Sequence, residues 1–400
     1  MEKRYLYLLS KSIIAGAFLL GFTSAVNAQT ASVGKYKTVT DSLDLHTGYS
    51  EAQLMRLASA APMLSEMQLE DVATQKSLQL TISKAKDRKA LMQRLRNIEF
   101  REDAATNHAK RKFFFNLGNT FARLRLYSLA MKCYFKTLQY KAADTTGNDQ
   151  ATLTRIDSLN VTDRLVADTT LLDPKYLGFN IKDDSLLNEP GGTFATPPVK
   201  EIRSPKITYT YISEAFKDGK KAVAYAMLMH VKQPVAGKRK VYRYTDSGHS
   251  FITLIKYNSD STYISVSFGF YPDKNHLLAG TPLFPSSPSV FRDDARHNWD
   301  EVAGKFISKR RFERIIALTK KYDGVKYNLN SKNCTDFSLD AAFLADVTVG
   351  ETTGKWPLGH GNNPGITGLS ILNGKVFDGG RRPKNDLFVS HDLSITTIDK

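Results

Sequence analysis

The feature that most constrains this chain is a change of hydrophobic period near residue 205. Before it, apolar residues recur at three- and four-residue spacing, as in "SEAQLMRLASAAPML" after Tyr49 and in "FFFNLGNTFARLRLYSLAMKCYFKTLQY" up to Tyr140, the pattern of amphipathic helices. After it come strand signals: "AVAYAMLMHV", a "PVAG" turn and "KVYRY", then a hairpin of "HSFITLIKY", the polar turn "NSDS" and "TYISVSFGF". "ISKRRFERIIALTKKYDGVKY" follows as an amphipathic helix with Phe312, Ile315, Ile316 and Leu318 on its apolar side. The expected fold class is therefore α plus α+β, a helical region followed by a small antiparallel sheet with helices packed on it.

The boundaries follow from composition. Residues 1–28 carry a basic start (Lys3, Arg4, Lys11), the apolar stretch "SIIAGAFLLGF" and the small-residue site "VNA" before Gln29, and read as a secretory signal peptide. Residues 29–145 form the helical region. Residues 146–205, with scattered Asp, Thr and Pro, read as a linker, 206–385 as the α+β domain and 386–400 as a polar tail. Tyr271 to Asn298 and "TTGKWPLGHGNNPGITGL" read as loops. Export places the chain in a periplasm or on a cell surface, and no segment after the leader spans a membrane.

The formal charge is +16, or +14 once residues 1–28 are removed. A basic exported protein suits anionic surroundings such as lipid headgroups or the stem-peptide carboxylates of a cell wall. Its bases are not interleaved with aromatics in a stripe, which argues against nucleic acid. No His/Cys/Asp cluster shows ligand spacing, so neither a metal nor a cofactor is expected.

With Arg111 as the first position of a 34-residue unit, Leu117, Gly118, Phe121, Ala130, Tyr134 and Thr137 fall where a tetratricopeptide repeat has Leu, Gly, aromatic, Ala, aromatic and small. The stretch resembles that repeat, with Ala142 in place of its usual proline. The resemblance implies a helical region able to bind a protein partner.

The chain has two cysteines. Cys133 falls inside the helical hairpin and reads as a packing residue. Cys334 opens "CTDFSLDAAFLAD", a helix with Asn333 or Thr335 as cap and Asp336 as an acid in its first turn. A helix N-terminus lowers a thiol's pKa and can hold a developing oxyanion. A disulfide between the two would silence such chemistry.

A thiolate also needs a base. His46, His108 and His391 lie far from the cysteine helix in the expected organisation, His230 ends an apolar run, and His276, His297 and His360 lie in expected loops. His249 begins the strand "SFITLIKY", where a rigid element can aim it.

"GHSFITL" followed by "NCTDF", with the cysteine 85 residues after the histidine, resembles the circularly permuted branch of the NlpC/P60 papain-like fold, which includes lecithin:retinol acyltransferase-like proteins. "FGFYP" and "YNLNSKNCTDF" are similar to domains of this type exported by Bacteroidetes. The resemblance implies Cys334 as nucleophile, His249 as general base, and a third polar group on the strand after the histidine. That strand has no His, Asn or Gln; Ser265, Ser267 and Tyr263 are available, and Ser267 is favoured. Asn333 and Thr335 are the expected substrate or oxyanion contacts. The implied activity is a cysteine hydrolase, an amidase or peptidase acting on cell-wall peptides or another acyl amide or ester. The alternative is a noncatalytic envelope protein that binds a partner through its helices.

Overall fold

The computed structural model describes residues 77–78, 80–82, 84–97, 104–144, 172–183, 204–243, 246–273, 279–379, 382–383 and 387–391, all within one compact unit, Ser50–Lys400. The leader at 1–28, His46 and His276 lie outside the described residues. Among the described residues no helix is long and apolar enough to cross a membrane.

The architecture is mixed α/β. Among the described residues the helical region contains α1 (Ala85–Asn97), α2 (Ala104–Arg123) and α3 (Tyr127–Asp144). A seven-stranded sheet follows, made of β1 (Lys206–Ile207), β2 (Ala222–Lys232), β3 (His249–Asn258), β4 (Tyr263–Pro272), β5 (Ser289–Asp293), β6 (Glu301–Ile307) and β7 (Phe388–His391). Its order is β1-β5-β4-β3-β2-β6-β7, antiparallel throughout. Short helical turns lie at Pro174–Leu177 and Ile181–Asp183, and further helices are α4 (Tyr209–Ala215), α5 (Lys309–Tyr322), α6 (Cys334–Leu344) and α7 (Pro364–Leu372).

The sheet is covered on both faces, and the period of two along its strands assigns each side chain to a layer. Ala224, Ala226 and Leu228 of β2, with Phe251, Ile255 and Tyr257 of β3 and Phe306 of β6, share a core with Leu117, Phe121, Ala130 and Met131 of the α2–α3 hairpin. Met227 and Met229 of β2, with Ile252 and Leu254 of β3, pack instead with Phe312 and Ile315 of α5 and Phe337 and Ala341 of α6. The helical hairpin thus forms one layer of the same body. Tyr134 stacks on Phe306, centroids 6.4 Å apart, and the Tyr257 hydroxyl donates to the Ser128 carbonyl at 2.7 Å.

Gly118 explains how closely α2 and α3 approach, because a Cβ there would sit 3.3 Å from both the Ala130 carbonyl oxygen and the Cys133 Cβ. From residues 172–183, Asp183 is buried and accepts from the Lys132 ammonium at 2.8 Å. This segment of the expected linker therefore docks on the hairpin.

Several expectations change. Residues 388–391, read as tail, form edge strand β7. β5 lies in the proline-bearing run read as loop. Of "KVYRY", the described residues 240–243 form no strand, and Arg243 makes an isolated bridge to Asp246. The glycine-rich stretch read as loop folds into a two-stranded ribbon, Thr353–Trp356 with Gly359–Asn362, and the helix α7. Cys133 and Cys334 are both free thiols.

Candidate active site

α6 begins at Cys334 because Asn333 and Asp336 cap it reciprocally. Asn333 Oδ1 accepts from the Thr335 and Asp336 amides at 2.8 and 3.1 Å, and Asp336 Oδ2 accepts from the Asn333 amide at 2.8 Å, a capping box. Asn333 Nδ2 donates to the Leu329 and Asn362 carbonyls, both at 2.9 Å. With both amide ends engaged, Asn333 serves as a cap and has no donor left for an oxyanion. The Thr335 amide is consumed by the same cap. Its hydroxyl lies 4.0 Å from the Cys334 sulfur and 3.4 Å from the Ser250 hydroxyl.

α6 packs on β3, and this contact brings Cys334 to His249 at the strand's first residue. Each of the two side chains shifts the other's proton affinity through charge and hydrogen bonding. His249 Nε2 bonds Asp294 Oδ2 at 3.0 Å, which leaves Nδ1 as the nitrogen for the thiol. Cys334 is only 8% exposed, and Asp294 is fully buried.

Asp294 is the orienting group that the sequence reading missed. It follows β5, two strands away from β3, and reaches the imidazole over β4 at Gly269. A Cβ on Gly269 would come within 2.5 Å of both His249 Nε2 and Asp294 Oδ2, so only glycine leaves room for the pair. The other carboxylate oxygen, Oδ1, accepts from the Ser204 hydroxyl at 2.8 Å and the Tyr271 hydroxyl at 2.6 Å. The Tyr271 ring also lies 4.1 Å from the His249 ring.

Ser267 does not hold His249. It pairs across the sheet with Thr253, four residues along β3 from His249, or about 13 Å at the usual strand rise. Its hydroxyl bonds Thr253 Oγ1 at 2.7 Å, and Thr253 Oγ1 meets His230 Nε2 at 2.9 Å. Ser267 contributes to the site through its backbone, whose carbonyl accepts from the Asp294 amide at 3.0 Å. His230 is a core residue; burial pushes its pKa down to about 3.

The electrostatics follow from these contacts. Burial alone would depress the His249 pKa, but the Asp294 charge and hydrogen bond, with the Cys334 sulfur, raise it to about 10. Burial alone would raise the Cys334 thiol; the His249 hydrogen bond and charge outweigh it and lower the pKa, helped by the Ser250 amide and the Thr335 hydroxyl. Burial likewise works against the Asp294 carboxylate, and the His249 charge and bond hold its pKa below the ordinary range. Burial and the Asp294 charge push Tyr271 up, so it remains a donor. These directions all favour a thiolate–imidazolium pair with a buried carboxylate behind it.

Two further groups border the sulfur. Tyr327 is buried, with its hydroxyl beside the Cys334 amide and thiol; burial and the sulfur's charge keep it protonated. His297 is buried rather than solvated. Its ring lies 4.8 Å from that of His249, and its Nδ1 bonds the Asn298 carbonyl at 2.8 Å. His249, Asp294 and His297 each place one potential metal-ligand atom within 4.8 Å of the others. His249 Nε2 and Asp294 Oδ2 are already bonded to each other, and His297 Nδ1 is bonded to the Asn298 carbonyl. His360, the first histidine after the cysteine in the chain, is exposed on the ribbon.

Comparison of the chain with models of protein families, with curated proteins and with solved structures finds no match.

Proposed function

We propose that the protein is an exported cysteine hydrolase of the permuted NlpC/P60 type that cleaves an amide or ester through an acyl-enzyme. One observation carries this reading: a buried thiol at a helix N-terminus engages an imidazole whose far nitrogen is held by a buried carboxylate. Nucleophile, base and orienting acid are the three roles that acyl transfer by a thiol requires.

The Cys334 thiolate attacks the substrate carbonyl carbon, and the carbonyl π pair moves to oxygen. The oxyanion forms beside the Cys334 amide and the Tyr327 hydroxyl, which lie against the sulfur. Collapse breaks the bond to the leaving amine or alcohol, which takes the proton from His249. Neutral His249 then removes a proton from water; the hydroxide attacks the thioester, and expulsion of the Cys334 thiolate releases the acid. Asp294 stays ionised throughout, holding one tautomer and offsetting the charge that His249 gains and loses.

The cell-wall stem peptide is the favoured substrate class, because its free carboxylates complement a mature charge of +14 and because export would bring the chain to it. The tetratricopeptide-like hairpin serves in this reading as a layer of the catalytic body, with Tyr134 turned onto the sheet. The test is incubation with peptidoglycan fragments and with simple acyl esters. Mass spectrometry follows the released amine or alcohol and an acyl adduct on Cys334, with His249→Ala as control. Turnover lost in the variant is the expected result; neither product nor adduct with either class would overturn the reading.

A further inference from the structure

Asp294 stands at the start of a segment, 294–300, that ends in β6, and the corner between α2 and α3 grips the segment's other end. Arg125 Nη2 donates to Asn298 Oδ1 at 2.6 Å. Arg123 donates to the Trp299 and Asp300 carbonyls at 3.1 and 3.3 Å, and its guanidinium lies 3.9 Å over the Trp299 ring. The indole Nε1 of Trp299 donates to the Tyr127 hydroxyl at 3.1 Å. Within the segment, the His297 amide donates to the Asp294 carbonyl at 3.0 Å and His297 Nδ1 meets the Asn298 carbonyl. A short chain of bonds therefore runs from the corner to the residue that holds His249.

Arg125 has φ +61, a left-handed conformation in which glycine or asparagine costs far less than arginine. A long charged side chain kept where the backbone favours glycine is an outlier that asks for a reason, and its contact with Asn298 supplies one. We infer that Arg125 and Arg123 are positioning residues that fix the 294–300 segment, and with it the Asp294 carboxylate, against His249. The inference rests on Cys334, His249 and Asp294 being the working groups. The helical hairpin thus takes part in setting the thiol's reactivity without touching substrate.

The test uses the full mature chain and three substitutions. Arg125→Gly and Arg125→Asn both suit the left-handed backbone and remove the reach to Asn298; Arg125→Lys keeps a cation of similar length. The readouts are the melting temperature and the pH profile of iodoacetamide labelling at Cys334, with the groups around Asp294 (His249, His297, Tyr271, Ser204) unchanged. In the glycine and asparagine variants, labelling at pH 6 falls about tenfold, the cost of a loosened orienting group, while melting is unchanged or higher; the lysine variant stays within about threefold of wild type. Profiles that superimpose on wild type in either folded short variant would overturn the inference, as would a lysine variant as slow as the glycine one. An ordinary thiol profile in the wild type would instead remove the nucleophile reading itself, so the two failures are distinguishable.

Discussion

The two cysteines make a controlled comparison inside one molecule. Both are free and buried, yet their proton affinities move in opposite directions. Cys133 sits in the hairpin core, where burial and then the Asp183 charge push its thiol up, against a smaller pull from Lys132. Cys334 is opposed by burial too, but His249, the Ser250 amide and the Thr335 hydroxyl bring it down. Burial therefore does not determine reactivity; the partner placed against the sulfur does. The comparison also separates two uses of a helix: Cys133 lies within α3, whereas Cys334 is the first residue of α6, at its positive end.

The largest expected effect comes from removing that partner. In His249→Ala, labelling of Cys334 at pH 6 falls by about 300-fold, the thiolate deficit of an ordinary thiol at that pH, and peptide mapping would find Cys334 as inert as Cys133. Asp294→Asn keeps a polar group of the same shape but removes the charge that raises His249. Labelling at pH 6 and turnover should each drop about 10²-fold, and the His249 proton should leave at lower pH in a titration followed by NMR. Gly269→Ala drives a methyl between Nε2 and Oδ2. It costs about 1–3 kcal/mol of stability through overpacking and roughly tenfold in labelling, read by denaturant melts and labelling together.

The pH dependence has a definite sign. Because His249 is raised to about 10, the imidazolium that protonates the leaving group exists below that pH and is lost above it. Because Cys334 is lowered, the thiolate persists below the ordinary thiol range and is lost only as the pH falls through its depressed value. Acylation rates should plateau between these limits, with a falling limb near pH 10. The smallest effect is expected from Ser267→Ala, which removes a hydrogen bond to Thr253 and costs about 1 kcal/mol of stability, while labelling at Cys334 changes less than about twofold. A large loss there would restore Ser267 as the orienting group and break the account.

Much of the sheet was legible because β2, β3 and β4 are long apolar runs bounded by turn residues, and α5 has one clean apolar face. The start of α6 was legible from Asn333 and Asp336. The ends of rigid elements singled out Cys334 and His249, and the resemblance of "GHSFITL" and "NCTDF" to the permuted papain-like fold is what paired them. Asp294 was hidden: it lies in "FRDDARHNW", a charged run after prolines, where no period distinguishes one aspartate from its neighbour. Two signals pointed toward it. The turn at 258–261 fixes the β3–β4 register, which puts Ser267 opposite Thr253 and too far from His249. A glycine within "SVSFGFYP" marks a place where something approaches the strand closely, and here it is the His249–Asp294 pair. The docking of the hairpin on the sheet depends on contacts between residues more than a hundred positions apart, such as Ser128 and Tyr257, which local periodicity does not carry.

Everything proposed for the site depends on His249 holding Cys334 as a thiolate. The most direct measurement is the rate of iodoacetamide modification at each cysteine of the wild-type protein from pH 4 to 10, resolved by mass spectrometry. Cys334 should react with a midpoint well below the ordinary thiol value of about 8.5 while Cys133 stays unmodified in the folded state. A Cys334 midpoint at or above the ordinary value, or equal labelling of the two cysteines, would contradict it.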